Sequence, residues 1–273
     1  MPSVRTRDGV NLHVKDAGSG TTVLLIHGWP LTGDMWEWQT LALLEAGYRV
    51  VTYDRRGFGQ SAHPASGYDY DTFADDLAAV IDEGDLRDVT LVGFSMGGGE
   101  IARYLSRHGA SRVRQAALVA SVVPYVLRTD DNPHGVPGEK LDEMRMQVRK
   151  DRFGFLQSLG KRLYGVGLVS HPVSPGVLDW TFMLGVMASP KATIDCIDAF
   201  GRTDFRPDLA AFTVPTLVVH GTGDATVPID ATGRAAAKGI PGASLVEYEG
   251  EPHGLFATAA DRLTRDLLNF LSI

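Results

Sequence analysis

The stretch VTLVGFSMGGG at 89–99 sets a serine, Ser95, between Gly93 and Gly97. A run of buried-strand residues leads into it and a helix-forming segment, EIARYLSRHG, follows. That setting gives the pattern G-x-S-x-G its meaning. The turn lifts the hydroxyl to the top of a sheet and sets it at a helix N-terminus, where free N–H groups favour developing negative charge. The flanking glycines have a steric reason, since backbones crowd at so sharp a turn and a Cβ would not fit. The implied chemistry is nucleophilic acyl transfer. A serine hydroxyl is weak at neutral pH and needs a base oriented by a third group.

Eight histidines compete for the role of base. His253, in EGEPHGLF, follows the last strand-like run and precedes the last helix, at the same sheet edge as Ser95. His13 lies in a first hairpin, His108 at a helix C-terminus, and His134 and His171 in proline-rich stretches. His27 and His220 each end a strand beside a glycine, where a packed, hydrogen-bonded role is expected. For the acid, Asp224 in TLVVHGTGDATVP follows a buried strand and a Gly-rich turn; Asp204 in RTDFRP is the fallback. The tetrahedral intermediate needs two N–H donors. One is expected from Met96, directly after the nucleophile, and the other from the loop of VLLIHGWPL at 23–31, where the Trp29 amide is the natural donor. Pro30 has no N–H, and it biases Trp29 toward extended backbone, which fixes where the Trp29 amide and carbonyl point. The Trp29 indole is expected to wall the acyl pocket. Cys196, the single cysteine, sits in the apolar stretch ATIDCIDAF and reads as packed core.

The elements that must position these groups are short apolar runs alternating with helical ones. Strands are predicted at 12–14, 22–26, 48–53, 89–94, 116–121, 216–220 and 244–248, and helices at 35–47, 70–84, 99–109, 231–240 and 261–273. Near-continuous Val, Leu and Ile in the middle strands indicates burial on both faces. The alternation predicts an α/β fold with a mostly parallel sheet and helices on both faces. The turn signal RDGV before residue 12 predicts that the first two strands form a hairpin. Alternation fails between 124 and 210, where helical segments and prolines dominate. The expected division is therefore a core of 1–123 and 211–273 with a helical cap at 124–210.

The 273 residues, 44% hydrophobic and 22% charged, suit one large domain with a sizeable core. A net charge of −7 argues against nucleic acid or an anionic membrane as partner. No apolar run approaches membrane-spanning length, and MPSVRTRDGV has no apolar signal-like region, so a cytoplasmic location is expected.

The order Ser95, Asp224, His253 and these motifs resemble an α/β-hydrolase of the cofactor-free haloperoxidase and aryl esterase family, the bacterial perhydrolases. The matching stretches are HGWPL (27–31), YDRRGFGQS (53–61), YDYDTFADDL (68–77), LVGFSMGGGE (91–100), ASPKATIDCIDAFGRTDFRPDL (188–209), VPTLVVHGTGD (214–224) and PHGLF (252–256). The resemblance implies an eight-stranded sheet and no cofactor or metal. It implies an acyl group from a small ester or carboxylic acid, loaded on Ser95 and released by water as acid or by hydrogen peroxide as peracid. The peracid then oxidises halide. In this family, proline after the oxyanion-loop residue accompanies better perhydrolysis, and leucine stands there in other members. Trp29, Pro30, Phe94, Met96, Tyr125, Val227 and Leu255 are the expected pocket residues. The family commonly forms homo-oligomers. A γ-lactamase or C–C bond hydrolase on the same triad is the alternative, and a non-catalytic binding protein of this fold the remote one. A haloalkane dehalogenase is disfavoured, since it would carry aspartate at 95.

Overall fold

The computed structural model describes residues 3–273. Eight strands, β1 (Ser3–Arg5), β2 (Asn11–Ala17), β3 (Thr22–Ile26), β4 (Arg49–Tyr53), β5 (Val89–Phe94), β6 (Val113–Val119), β7 (Thr216–Gly221) and β8 (Ser244–Tyr248), form one sheet in the order β1-β2-β4-β3-β5-β6-β7-β8. β1 and β2 form the hairpin signalled by RDGV, and β2 runs antiparallel to β4. Every other pairing is parallel.

Each central strand is buried on both sides, and its side chains alternate between two cores. In β3, Leu24 and Ile26 join one core while Val23 and Leu25 join the other. The first core is covered by α2 (Tyr70–Glu83) and α3 (Met96–His108), and the second by α1 (Glu37–Glu45) and the C-terminal α10 (Ala260–Leu271). Full burial of each such aliphatic side chain contributes about 1.5–3 kcal/mol, so the strands that end at the site are held from both faces.

Between β6 and β7 the chain forms α4 (Gly138–Lys150), α5 (Arg152–Leu163), α6 (Pro175–Val186) and α7 (Pro190–Arg202). The prolines there partly mark helix starts rather than loops. Ser174 and Ser189 cap α6 and α7 with their side chains, each followed by proline at the first helical position. The segment LDEMRMQVRKDRFGFLQSL forms two helices, because Asp151 leaves helical geometry (φ −153°, ψ 86°) and caps α5 at Gly154. After β7 come α8 (Gly233–Gly239) and, ahead of α10, one turn of α9 (Leu255–Thr258). Cys196 is buried in the first core. Among the described residues, no helix is long and apolar enough to cross a membrane.

Candidate active site

Ser95 is the hinge between β5 and α3. The helix begins at Met96, three residues before the predicted start, so nothing separates strand, serine and helix. Ser95 has φ +52° and ψ −115°, a region an L-residue occupies only when its surroundings dictate it. Its N–H donates to the Val119 carbonyl (2.9 Å), and its carbonyl accepts from Gly98 (3.1 Å) and Val122 (3.3 Å). Glycine is needed at 97 because α3 lies against the end of β3: a Cβ there would stand 2.6 Å from the Ile26 carbonyl oxygen. Gly28 is the matching close approach from the loop after β3, where a Cβ would meet the Phe94 ring at 2.5 Å and the Ser95 Cβ at 3.1 Å.

Three chain-distant residues meet at this edge. The Ser95 Oγ lies 2.9 Å from His253 Nε2, and His253 Nδ1 lies 2.5 Å from Asp224 Oδ2. All three side chains are buried or nearly so. An ionised carboxylate can only accept, so Asp224 fixes the proton on Nδ1 and leaves Nε2 to accept from the serine hydroxyl. The other oxygen of Asp224, Oδ1, accepts from the N–H groups of Thr226 and Val227, each at 2.8 Å. Burial works to raise the Asp224 pKa, but the charges and side-chain hydrogen bonds of the facing His253 and His220 outweigh it and hold the carboxyl below the usual carboxylate range. The Gly254 N–H donates to the Leu163 carbonyl (2.7 Å), which ties the histidine loop to the end of α5.

Of the two amides expected as donors, Met96 is the first residue of α3 and Trp29 lies in the loop after β3. Among the described residues, neither N–H donates to a protein acceptor. The Trp29–Pro30 peptide is cis. The Trp29 indole N–H donates to the Thr193 carbonyl on α7 (3.0 Å), and its ring tilts against Phe155 of α5 and Phe200 of α7, with centroids 6.0 and 5.3 Å away.

Ser95 and His253 open onto an enclosed, largely apolar cavity of about 60 Å³. Of the expected pocket residues, Trp29 and Val227 line it. The others require correction. Phe94 and Leu255 adjoin the serine and histidine in sequence, but both are fully buried in the second core. Phe94 points down the sheet, its ring 4.9 Å from the His253 ring and 5.0 Å from Phe256, so it backs the imidazole instead of meeting substrate. Met96 is fully buried and brings its backbone to the site. Tyr125 stands outside the cavity under the Arg206 guanidinium (5.0 Å to the ring), and its neighbour Val126 lines the wall instead. Pro30 sits behind the loop toward Gly185 of α6. The lining that sequence reasoning missed comes mostly from the inserted helices: Lys140, Leu141 and Met144 of α4, Leu159 of α5 and Phe200 of α7. For Leu141, Met144 and Leu159 the only sequence signal was apolar spacing on helices of unknown docking. Asp204 pairs with Arg206 at the surface, away from the histidine. His27 and His220 are buried and hydrogen-bonded, as expected for strand-ending histidines.

The sequence and the fold both match known proteins. A family model described as "alpha/beta hydrolase fold" matches residues 21–172, and one described as "TAP-like protein" matches 193–271. The chain is 46% identical to non-heme chloroperoxidase CPO-A1 of Kitasatospora aureofaciens, with 100% of each chain covered. It is 38% identical to the bifunctional esterase/perhydrolase DCH of Acinetobacter calcoaceticus, with 99% of each covered. The crystal structure of a bromoperoxidase from Bacillus anthracis superposes with a TM-score of 0.96 at 43% identity, over 99% of both chains.

Proposed function

The chain belongs to the α/β-hydrolase family, in its cofactor-free haloperoxidase and perhydrolase branch, and on that premise we propose that Ser95, Asp224 and His253 make it a serine esterase that also forms peracids. The observation that carries the assignment is the linked pair of contacts, Ser95 to His253 at 2.9 Å and His253 to Asp224 at 2.5 Å, opening onto an apolar cavity.

In this reading His253 Nε2 takes the Ser95 proton as Oγ attacks the carbonyl carbon of a small ester. The Trp29 and Met96 amides hold the oxygen that becomes negative. Asp224 stabilises the imidazolium, which then gives its proton to the departing alcohol. Water, activated by the same imidazole, releases the acid from the acyl-enzyme. Hydrogen peroxide in its place releases a peracid and regenerates the serine hydroxyl. The peracid passes one oxygen to bromide or chloride, giving hypohalite and the parent acid, so halogenation follows acyl transfer. A cavity of about 60 Å³ suits short acyl groups, since a single water needs roughly 10–15 Å³ on the same measure. Residues 124–210 act as the cap that supplies its walls. The reading includes a cytoplasmic enzyme of small molecules, supported by the charge of −7, which disfavours nucleic acid and anionic membranes. Exposed apolar side chains, Phe153 on α5, Met183 on α6 and Met187 just beyond it, support a homo-oligomer.

The test is turnover of p-nitrophenyl acetate beside acetate- and peroxide-dependent bromination of monochlorodimedone in the presence of a chelator. Ser95→Ala is expected to remove both. Bromination that survives in Ser95→Ala would overturn the acyl-enzyme route.

A further inference from the structure

His27 precedes the proposed oxyanion loop, and the mechanism above gives it no task. Its imidazole is fully buried, and its hydrogen bonds determine its tautomer. The backbone N–H of Arg55 points at Nε2 from 2.9 Å, so Nε2 accepts and the ring proton sits on Nδ1. Nδ1 lies 2.9 Å from the Gly28 carbonyl oxygen and donates to it. Arg55 Nη1, at 3.4 Å from Nδ1, is itself a donor and cannot take that proton. Burial and then the charge of Arg55 lower the His27 pKa well below its ordinary value, so the ring keeps one proton in one place.

The Gly28 carbonyl is one half of a peptide unit whose other half is the Trp29 N–H. Carbonyl and amide share a rigid plane, so holding the oxygen sets the direction in which the N–H points. The Leu31 N–H holds the same oxygen from the other side at 3.0 Å. Behind His27 stands a charged anchor. Arg55 Nη2 donates to the His27 carbonyl (2.7 Å), and its guanidinium pairs with Glu100, which also accepts from the Tyr53 hydroxyl. Arg55 and Glu100 are both fully buried. Burial pushes the Glu100 carboxyl up to about 7, opposed by Arg55 and Tyr53. Other charged or ionisable groups around the pair are Asp76, paired with Arg56, then Tyr70 and Cys196. Glu100 lies on α3, the helix whose first residue is Met96. One buried chain of contacts therefore runs from the helix that presents one donor amide to the peptide that presents the other.

We propose that His27, anchored by Arg55 and Glu100, is a positioning residue for the oxyanion hole: its Nδ1–H holds the Gly28–Trp29 peptide so that the Trp29 amide faces the developing oxyanion. This rests on the serine-hydrolase reading. It touches no substrate, so its effect belongs to the transition state and leaves ground-state binding alone.

His27→Leu and His27→Asn have nearly the same shape, and only the asparagine amide can donate near the Nδ1 position. Deleting an oxyanion donor costs about 10²–10³ in kcat, and a misaimed donor part of that. His27→Leu is expected to lower kcat for p-nitrophenyl acetate about 30- to 300-fold with KM nearly unchanged. It should weaken a trifluoromethyl ketone, which forms a tetrahedral adduct on the serine, by the same factor. His27→Asn should recover about 10-fold of the loss. If His27→Leu does not fold, Arg55→Lys carries the test. It keeps a cation beside Glu100 while losing the fork that also reaches the His27 carbonyl, and the same parallel loss is expected. Unchanged ketone affinity in the folded variant would overturn the proposal, as would a loss confined to KM. Ser95→Ala, run alongside, separates the two readings: turnover surviving there removes the serine-hydrolase reading itself, whereas its loss there with wild-type kcat in His27→Leu removes only this one.

Discussion

The imidazole of His220 lies against the same carboxylate oxygen of Asp224 that receives His253. Its Nε2 stands 3.3 Å from Asp224 Oδ2 and 3.0 Å from the Val227 carbonyl, and both side chains are fully buried. Asp224 is thus flanked by two imidazoles, one facing the serine and one closing the carboxylate from behind.

His220→Phe is expected to lower kcat about 10-fold with KM unchanged, because a hydrogen bond to a charged group contributes about 1.5–3 kcal/mol and part of that holds the carboxylate in line. His220→Gln, whose amide can donate from near the Nε2 position, should recover most of the rate. Equal losses in both variants would assign His220 to packing alone.

Asp224→Asn should lower kcat at neutral pH by about 10³–10⁴, since an amide does not hold His253 in the required tautomer. A pH signature accompanies it. The folded-state pKa of Asp224 lies below its ordinary value of 3.8, so the stability its partners confer is present above that pH and fades as pH falls below it. Urea midpoints of wild type and Asp224→Asn should therefore differ most near pH 6, with the gap narrowed but not closed at about pH 3, to be measured at about those two values.

Met144 lines the cavity from α4 and is only partly buried, so shortening it enlarges the pocket without opening the core. Met144→Ala is expected to raise kcat/KM for p-nitrophenyl hexanoate about 10-fold relative to the acetate, the order of discrimination one or two methylenes provide. A chain-length profile over acetate, butyrate and hexanoate checks it.

Pro30 is fixed in φ and has no N–H, and it follows Trp29, whose amide is proposed to hold the oxyanion. Pro30→Leu is expected to lower the ratio of peracid formation to ester hydrolysis by about 5- to 10-fold, in line with a Trp29 carbonyl placed to accept from peroxide; the effect size follows from one lost hydrogen bond. Paired bromination and ester assays on one preparation measure the ratio, and an unchanged ratio would remove the role from Pro30.

The sheet, its helices on both faces and its inserted helices were legible because each rests on local periodicity: buried β5 and β7 read as unbroken apolar runs, and GFSMG marks a turn whose sterics admit few alternatives. The grouping of Ser95, Asp224 and His253 followed from one rule, that parallel strands deliver their C-terminal ends to a common edge. The cavity lining was not legible, because it depends on how α4, α5 and α7 dock, which the periodicity of each helix leaves open. Phe94 and Tyr125 show the limit at single-residue resolution. Phe94 was among the expected pocket residues, yet alternation along β5 turns it into the second core. At 125 and 126 the chain has left the strand, and the backbone path after β6 decides which of two neighbours looks inward.

The left-handed backbone of Ser95 gives the chain a conflict of interest at its proposed nucleophile. A side chain with φ +52° is worth about 1–3 kcal/mol of strain, and glycine would adopt the same geometry freely. The folded chain is thus expected to be more robust without its nucleophile than with it. Selection for heat tolerance alone would drift toward an inert protein of the same shape, and only demand for the reaction keeps the serine in place.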